Sequence, residues 1–424
     1  MSKYFLPLLG CLLIALPGWS QTGCGTLLYR QQQLNAHPEL ATRLAEIESF
    51  TRQHQPPSTV GVAGVTTATA SSAPSLITIP VVVHVIYNSN SENISDAQIE
   101  SQIAVLNRDY QKLNPDTANI PSYFKALAAN IGLNFILAGI DTNGNTTTGI
   151  VRKHTEVTAF SINDDMKSSA TGGDDPWNAD QYLNIYVCNL TAGTLGYSSI
   201  VGGPKDVDGV VVQYTAFGTM GTAQAPFNLG RTCTHEIGHW FNLIHTWGDA
   251  YCGNDQVADT PPQSAPTYGN PSGIIISCDN TPNGNMYMNY MDFTDDVGMH
   301  MFTNGQRARM MTLFEPGGAR YPVLSSPAAT APPGEPATAA STAVQVSLAS
   351  LYPNPAYSIV SVSLTDASQI GSLMEVYNQV GQMVMATRVT QITTQINVAG
   401  LAGGMYFIRI GNSGSQQSLK FVKL

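Results

Sequence analysis

Residues 235–249 read HEIGHWFNLIHTWGD, and three of the chain's eight histidines fall within the first eleven of those positions. His235 and His239 are four residues apart, so on a helix they project from one face, one turn above the other. Two imidazoles placed in that way can reach one metal ion. Zinc bound by nitrogen takes a tetrahedron, and a catalytic site keeps one corner open, so a third protein ligand is needed. His245 is the candidate, but it lies too far beyond His239 to share the face of a continuing helix. The helix must stop and the chain must turn back at a residue that accepts positive φ. Asn242 stands there, the residue best tolerated after glycine. In the resulting HExxHxxNxxH pattern Glu236 is placed as a general base for a metal-activated water. The competing reading, a solvated helix rich in histidine, suits a bare HExxH and is much weakened by a third histidine at the turn distance.

Working outward, the segments ITIPVVVHVIYN (77–88), IGLNFILAGI (131–140), YLNIYVCNL (182–190) and GVVVQYTAF (209–217) are apolar and rich in β-branched residues, and read as strands. Between the first two lies a helix, SDAQIESQIAVLNRDYQKLN (95–114), with Ser95 as N-cap and Ile99, Ile103, Leu106 and Tyr110 on one face. The fold class is therefore α/β, and the histidine helix opens after most of a sheet has been laid down. Further on, Met291 sits in a short turn-like NYMDF. A methionine beneath a three-histidine zinc site forms an apolar floor in metzincins, although methionine is also an ordinary core residue.

These stretches, with DQVADTPPQ (255–263) and NYMDFTDDVGMHMFTNGQRARM (289–310), resemble the pappalysin family of metzincins, and most closely its cytophagalysin branch, over most of residues 24–320. The resemblance implies an α/β (α+β) metzincin catalytic domain with a twisted mixed sheet and an active-site helix. It implies a secreted zinc endopeptidase acting on protein or peptide substrates, with His235, His239 and His245 as ligands, Glu236 as base and Met291 in the Met-turn. Asp255, Asp259 and Thr260 are then the hard oxygen donors of a calcium loop, for which a Pro-rich turn with surface acids is the plainer alternative. Cys252 and Cys278 match one family disulfide; the positions of a second are filled by Asn270 and Gly298. Asp295, Asp296 and Val297 fall in the segment expected to line the substrate pocket.

The N-terminus carries Lys3 and then the apolar run YFLPLLGCLLIALPGW, the pattern of a signal peptide (1–21) and too broken by Pro7 and Pro17 for a membrane span. Residues 22–75 then read as a propeptide, with a short helix around LATRLAEIESFTRQ (40–53) and a Ser/Thr/Ala/Pro-rich tether at 56–75 that a protease can nick. Removing the signal removes Cys11 and leaves five cysteines, an odd number in an oxidising compartment. CGT at 24–26 resembles a motif of the family's propeptides. Cys24 is thus either a thiolate that fills the open zinc corner and keeps the precursor latent, or merely a spare thiol. Cys188 and Cys233 are either paired or both free.

The catalytic domain is expected at 76–322. A Pro/Ala/Ser/Thr-rich linker (323–345) follows, and then alternating strands over 346–424 that read as a small all-β, Ig-like sandwich. Its motifs LYPNPA, VYNQVGQMV, INVAGLAGGMYFIRI and KFVKL resemble the type A sorting domain of the type IX secretion system; the bare sandwich pattern would equally suit carbohydrate binding. A net charge of −10 with no basic run argues against nucleic acid. The expected product is secreted or attached to the cell surface. The rival reading from another class is an adhesion protein with a structural or degenerate zinc site.

Overall fold

The computed structural model describes residues 23–55, 76–191, 193–330, 349–364, 370–378, 382–412 and 415–424. The expected signal peptide, the tether at 56–75 and most of the linker lie outside them. The chain divides into two compact units, Met1–Thr338 and Ala339–Leu424.

The first unit opens with β1 (Gly23–Cys24), α1 (Thr26–Ala36) and α2 (Leu40–His54). There are two helices where one was expected, because Pro38 cannot extend α1 through its missing N–H. The centre of the sheet is β2 (Ile77–Tyr87). It is followed by α3 (Asp96–Tyr110), β3 (Leu133–Leu137), β4 (Ile150–His154), β5 (Leu183–Cys188), β6 (Thr194–Ser198) and β7 (Val210–Gln213). The strand order is β1-β6-β7-β5-β2-β3, with β4 also on β2. One flank of β2 serves two partners, since Ile77–Val81 pairs with β3 and Val83–Tyr87 with β4. All pairings in this sheet are parallel except β6 with β7.

Parallel strands covered on both faces need apolar side chains on both, which is why β2 reads as a continuous apolar run. Ile79, Val81, Val83 and Val85 join the main core with α3 and the histidine helix, while Val82 and Ile86 enter separate clusters behind the sheet. Ser95 caps α3 as expected, its side chain accepting from Gln98 N.

The histidine helix, α4 (Arg231–Trp240), is buried along its whole length. Beyond it come the short parallel pair β8 (Tyr268–Gly269) and β9 (Phe293–Thr294), then α5 (Asn304–Met311), which is closed by a Thr303/Gln306 capping box. The expected end at residue 322 is too early. Residues 321–329 form two further turns of 3₁₀ helix that remain packed, with Val323 and Ala328 buried in the first unit.

The second unit is all-β. A three-stranded sheet joins β10 (Ala349–Tyr352), β11 (Ile359–Leu364) and β14 (Thr393–Asn397). A four-stranded sheet joins β12 (Leu373–Asn378), β13 (Met383–Arg388), β15 (Gly404–Asn412) and β16 (Ser415–Lys423). Val360, Val362 and Ile396 of the first sheet share one core with Met374, Val376, Ile408 and Phe421 of the second.

Candidate active site

The start of α4 is held electrostatically. Gly230 enters it with φ +78°, and the Asp296 carboxyl, which burial raises to about 7, accepts from Leu229 N (2.7 Å) and Arg231 N (3.3 Å) at the positive end of the helix. Arg231 reaches Asp109, Asp116 and the Tyr290 hydroxyl, and Thr234 donates to Asp109. The end of α4 is a designed stop. Asn242 has φ +66°, Leu243 N donates back to Gly238 O (3.0 Å), and Arg309 Nε donates to Asn242 O (2.7 Å). That turn brings His245 back beside the helix.

The three imidazoles converge. His239 Nε2 lies 3.1 Å from His235 Nε2 and 3.0 Å from His245 Nε2. Each Nδ1 faces an oxygen: Tyr290 O for His235 (2.6 Å), Leu243 O for His239 (2.9 Å) and Asp249 Oδ1 for His245 (2.5 Å). A carbonyl or carboxylate can only accept, so the proton is on Nδ1 and the Nε2 lone pairs point inward. Burial lowers His235 and His245 to about 3, and holds His239 well below its usual range, so all three stay neutral. Four ligands at 2.0–2.1 Å on a tetrahedron stand about 3.3 Å apart. The histidine set therefore fits zinc.

Cys24 completes the constellation. Its sulfur and the three histidine nitrogens all lie within 4.8 Å of one another, the one such cluster among the described residues. β1 brings it there by pairing with β6, Cys24 opposite Gly196. Cys24 Sγ donates to Glu236 Oε2 (3.4 Å), which also accepts from Thr26 Oγ1 (2.9 Å). Burial raises Glu236 to about 8, and Glu236 Oε1 is buried without a partner. Beneath the histidines Met291 is fully buried, and a Cβ on Gly238 would stand 2.5 Å from its sulfur. The small residue in HEIGH is there for the methionine.

A cavity of about 300 Å³ opens beside His235 and Glu236, lined among others by Thr232, Asp292, Phe293, Asp295 and Asp296. Asp295 and Asp296 both border this cavity, though the Asp296 carboxylate is turned onto the start of α4. Val297 does not. The 3₁₀ turn Asp296–Gly298 points it to solvent, 46% exposed and outside the cavity lining. Asp292 was missed by the sequence reading. It is buried under Thr267 N and Gln263 Nε2, and burial raises it to about 6.

The expected calcium trio is divided. Asp255 and Thr260 are together (2.7 Å), but the Asp259 carboxylate accepts from Thr303 Oγ1 (2.6 Å) and Gly305 N (2.8 Å), at the start of α5. Its oxygen is committed to a helix end, so its side chain does not belong with the other two. Cys252 and Cys278 are bonded. A Cβ at position 298 would fall 3.6 Å from Asn270 Oδ1. Cys188 and Cys233 are both free and buried.

Two family models match the chain: pregnancy-associated plasma protein-A over residues 167–315, and a secretion system C-terminal sorting domain over 350–424. An extracellular metalloprotease of Pyricularia oryzae is 34% identical over 256 residues, 58% of this chain and 78% of that protein. The chain belongs to the pappalysin family. An extracellular metalloprotease of Colletotrichum graminicola is 30% identical over 69% of this chain and 89% of that one. Mature mirolysin of Tannerella forsythia, solved with a cleaved peptide, is 48% identical with a TM-score of 0.59, covering 60% of this chain and 97% of its own. A promirolysin mutant from the same organism is 43% identical with a TM-score of 0.64, covering 71% and 97%. As a pappalysin this chain is a zinc metalloendopeptidase, and its sorting domain and relatives make it a secreted or surface protein. Among the described residues no helix is long and apolar enough to cross a membrane.

Proposed function

We propose that the chain is the latent precursor of an endopeptidase in which Glu236 is the general base and Cys24 the latch. The observation that carries this reading is the convergence of three inward Nε2 atoms with the Glu236 carboxylate on one side and the Cys24 sulfur in the remaining space. When bound by His235, His239 and His245, zinc supplies Lewis acidity toward water and carbonyl oxygen. Glu236 takes the proton of the attacking water and passes it to the leaving amine. Ionised, its carboxylate accepts the first proton; once protonated, it is the acid for the second transfer. Met291 forms the floor that keeps the imidazoles in place.

Substrate lies antiparallel along β6, the edge strand, where β1 now lies parallel. On that reading the cavity near Asp295 and Asp296 takes a side chain from beyond the cut bond. The segment 22–75 is a propeptide, and cleavage in the tether at 56–75 precedes its release. Asp255 and Thr260 supply two side-chain oxygens toward calcium in the disulfide-closed loop. The second unit, an Ig-like sandwich by its two sheets, is an address for the type IX export machinery.

The test compares the chain after tether cleavage and release of residues 22–75 with its E236Q variant processed in the same way, assaying zinc and cleavage of an unfolded protein. Equal zinc with cleavage lost by about 10²-fold or more in the variant is expected; equal cleavage by both removes Glu236 as base. Zinc bound by both with no cleavage by either favours a structural metal site. Unprocessed C24S should cut without activation, and a C24S precursor that stays latent would end the latch.

A further inference from the structure

Glu48 of α2 meets Arg309 of α5 through two bonds, NH1 to Oε1 (3.1 Å) and NH2 to Oε2 (2.5 Å), in the paired geometry by which guanidinium grips a carboxylate. The Arg309 side chain is 1% exposed, and its Nε is fixed to Asn242 O in the turn of the histidine motif. The two groups line a cavity of about 450 Å³ that also contains His239, His245 and Ser198–Val201. It therefore communicates with the metal site, at the Ser198 end of β6. A peptide antiparallel to β6 has its N-terminal part at that end.

Release of the propeptide takes Glu48 away and leaves a guanidinium held in place, whose two terminal nitrogens make no other hydrogen bond among the described residues. A cation so placed in a cleft calls for an anion. Its acidic neighbours are engaged elsewhere: Asp249 with His245, and Asp255 with Thr260 and Val257 N. We infer that Arg309 is a specificity-determining residue of the mature enzyme, forming a subsite for a Glu or Asp side chain on the N-terminal side of the cut bond. In the precursor Glu48 occupies it as a substrate acid does. This inference rests on the substrate direction proposed above.

The test uses the processed enzyme, freed of residues 22–75, and matched peptides that carry Glu or Gln in turn at each position before the cut bond. At one position Glu should lower KM about ten-fold relative to Gln with kcat little changed, because the paired bond is made equally in ground and transition states. In R309K, which keeps the charge but loses the fork, the preference should shrink to about three-fold or less. An enzyme that cuts the Gln peptides and prefers Glu at no position overturns the inference and leaves the proposed function intact. Failure to cut either set overturns both. If R309K does not fold, the wild-type comparison decides alone.

Discussion

Gly238 is where the motif and the Met-turn touch, and G238A probes that contact directly. The added Cβ would lie 2.5 Å from Met291 Sδ, about 1.2 Å inside an ordinary contact distance. Methionine bends easily, but Met291 is fully buried, so the sulfur cannot move without displacing its neighbours. Overpacking of this kind costs roughly 1–3 kcal/mol, while alanine in place of glycine inside a helix recovers about 1 kcal/mol. The net expectation is a loss of about 0–2 kcal/mol, visible in urea unfolding. Activity should suffer more. Tyr290 O holds the Nδ1 of His235 and Met291 O accepts from Thr246 N, so a shifted Met-turn moves ligands on both sides of the metal. A displacement near 1 Å implies a fall in kcat/KM of about 10²-fold. In G238A/M291A the clash is absent, and a double-mutant cycle should show coupling of about 1 kcal/mol or more. A G238A enzyme that is more stable by about 1 kcal/mol and fully active would refute the contact.

Two other outcomes follow from buried charge. Burial alone would raise Glu48, but the hydrogen bonds and charge of Arg309 outweigh it and hold the carboxyl below its ordinary value. Its hold on α2 is thus present above the free-carboxylate pKa of about 4.3 and lost as pH falls through the depressed value. After tether cleavage, propeptide retention on a sizing column should weaken below about pH 4, and E48Q should weaken it at neutral pH and flatten the dependence; identical profiles for both would count against the pairing. Asp208 is buried and accepts from Trp240 Nε1 (2.6 Å), Ser199 Oγ (2.9 Å) and Arg320, whose guanidinium stacks 3.6 Å from the Trp240 ring. D208A leaves that cation unpaired and should cost roughly 3–5 kcal/mol in chemical denaturation; a loss under about 1 kcal/mol would show that Arg320 finds water instead.

The metal site was legible because its information is local. Spacing by four, then six, with Asn242 between, dictates helix, stop and return, and the chain does this. The cysteine near the start was legible only through its likeness to a motif, since no spacing rule connects Cys24 to His235. What the sequence hid is long-range or short. β6, TLGYS, is five residues with a glycine and mixed polarity, too weak a pattern to read as a strand, although it is the edge on which a peptide would lie. Arg309 and Glu48 are 261 residues apart, and nothing in either neighbourhood announces the other. Position along the chain also misled: Asp295, Asp296 and Val297 are consecutive, yet a tight turn sends the last away from the cavity.

The parallel pairing of β1 with β6 has a consequence for the chain before it ever meets a substrate. An uncovered edge strand offers unpaired N–H and C=O groups to any other extended chain, and is a common starting point for aggregation. Here Gly23 N and Gly25 N donate to Gly193 O and Gly196 O, so the segment that closes the metal site also closes part of the sheet's open rim. If that segment leaves only after export, as the proposed latent precursor would have it, this part of the rim stays paired until then and offers no free edge to other extended chains.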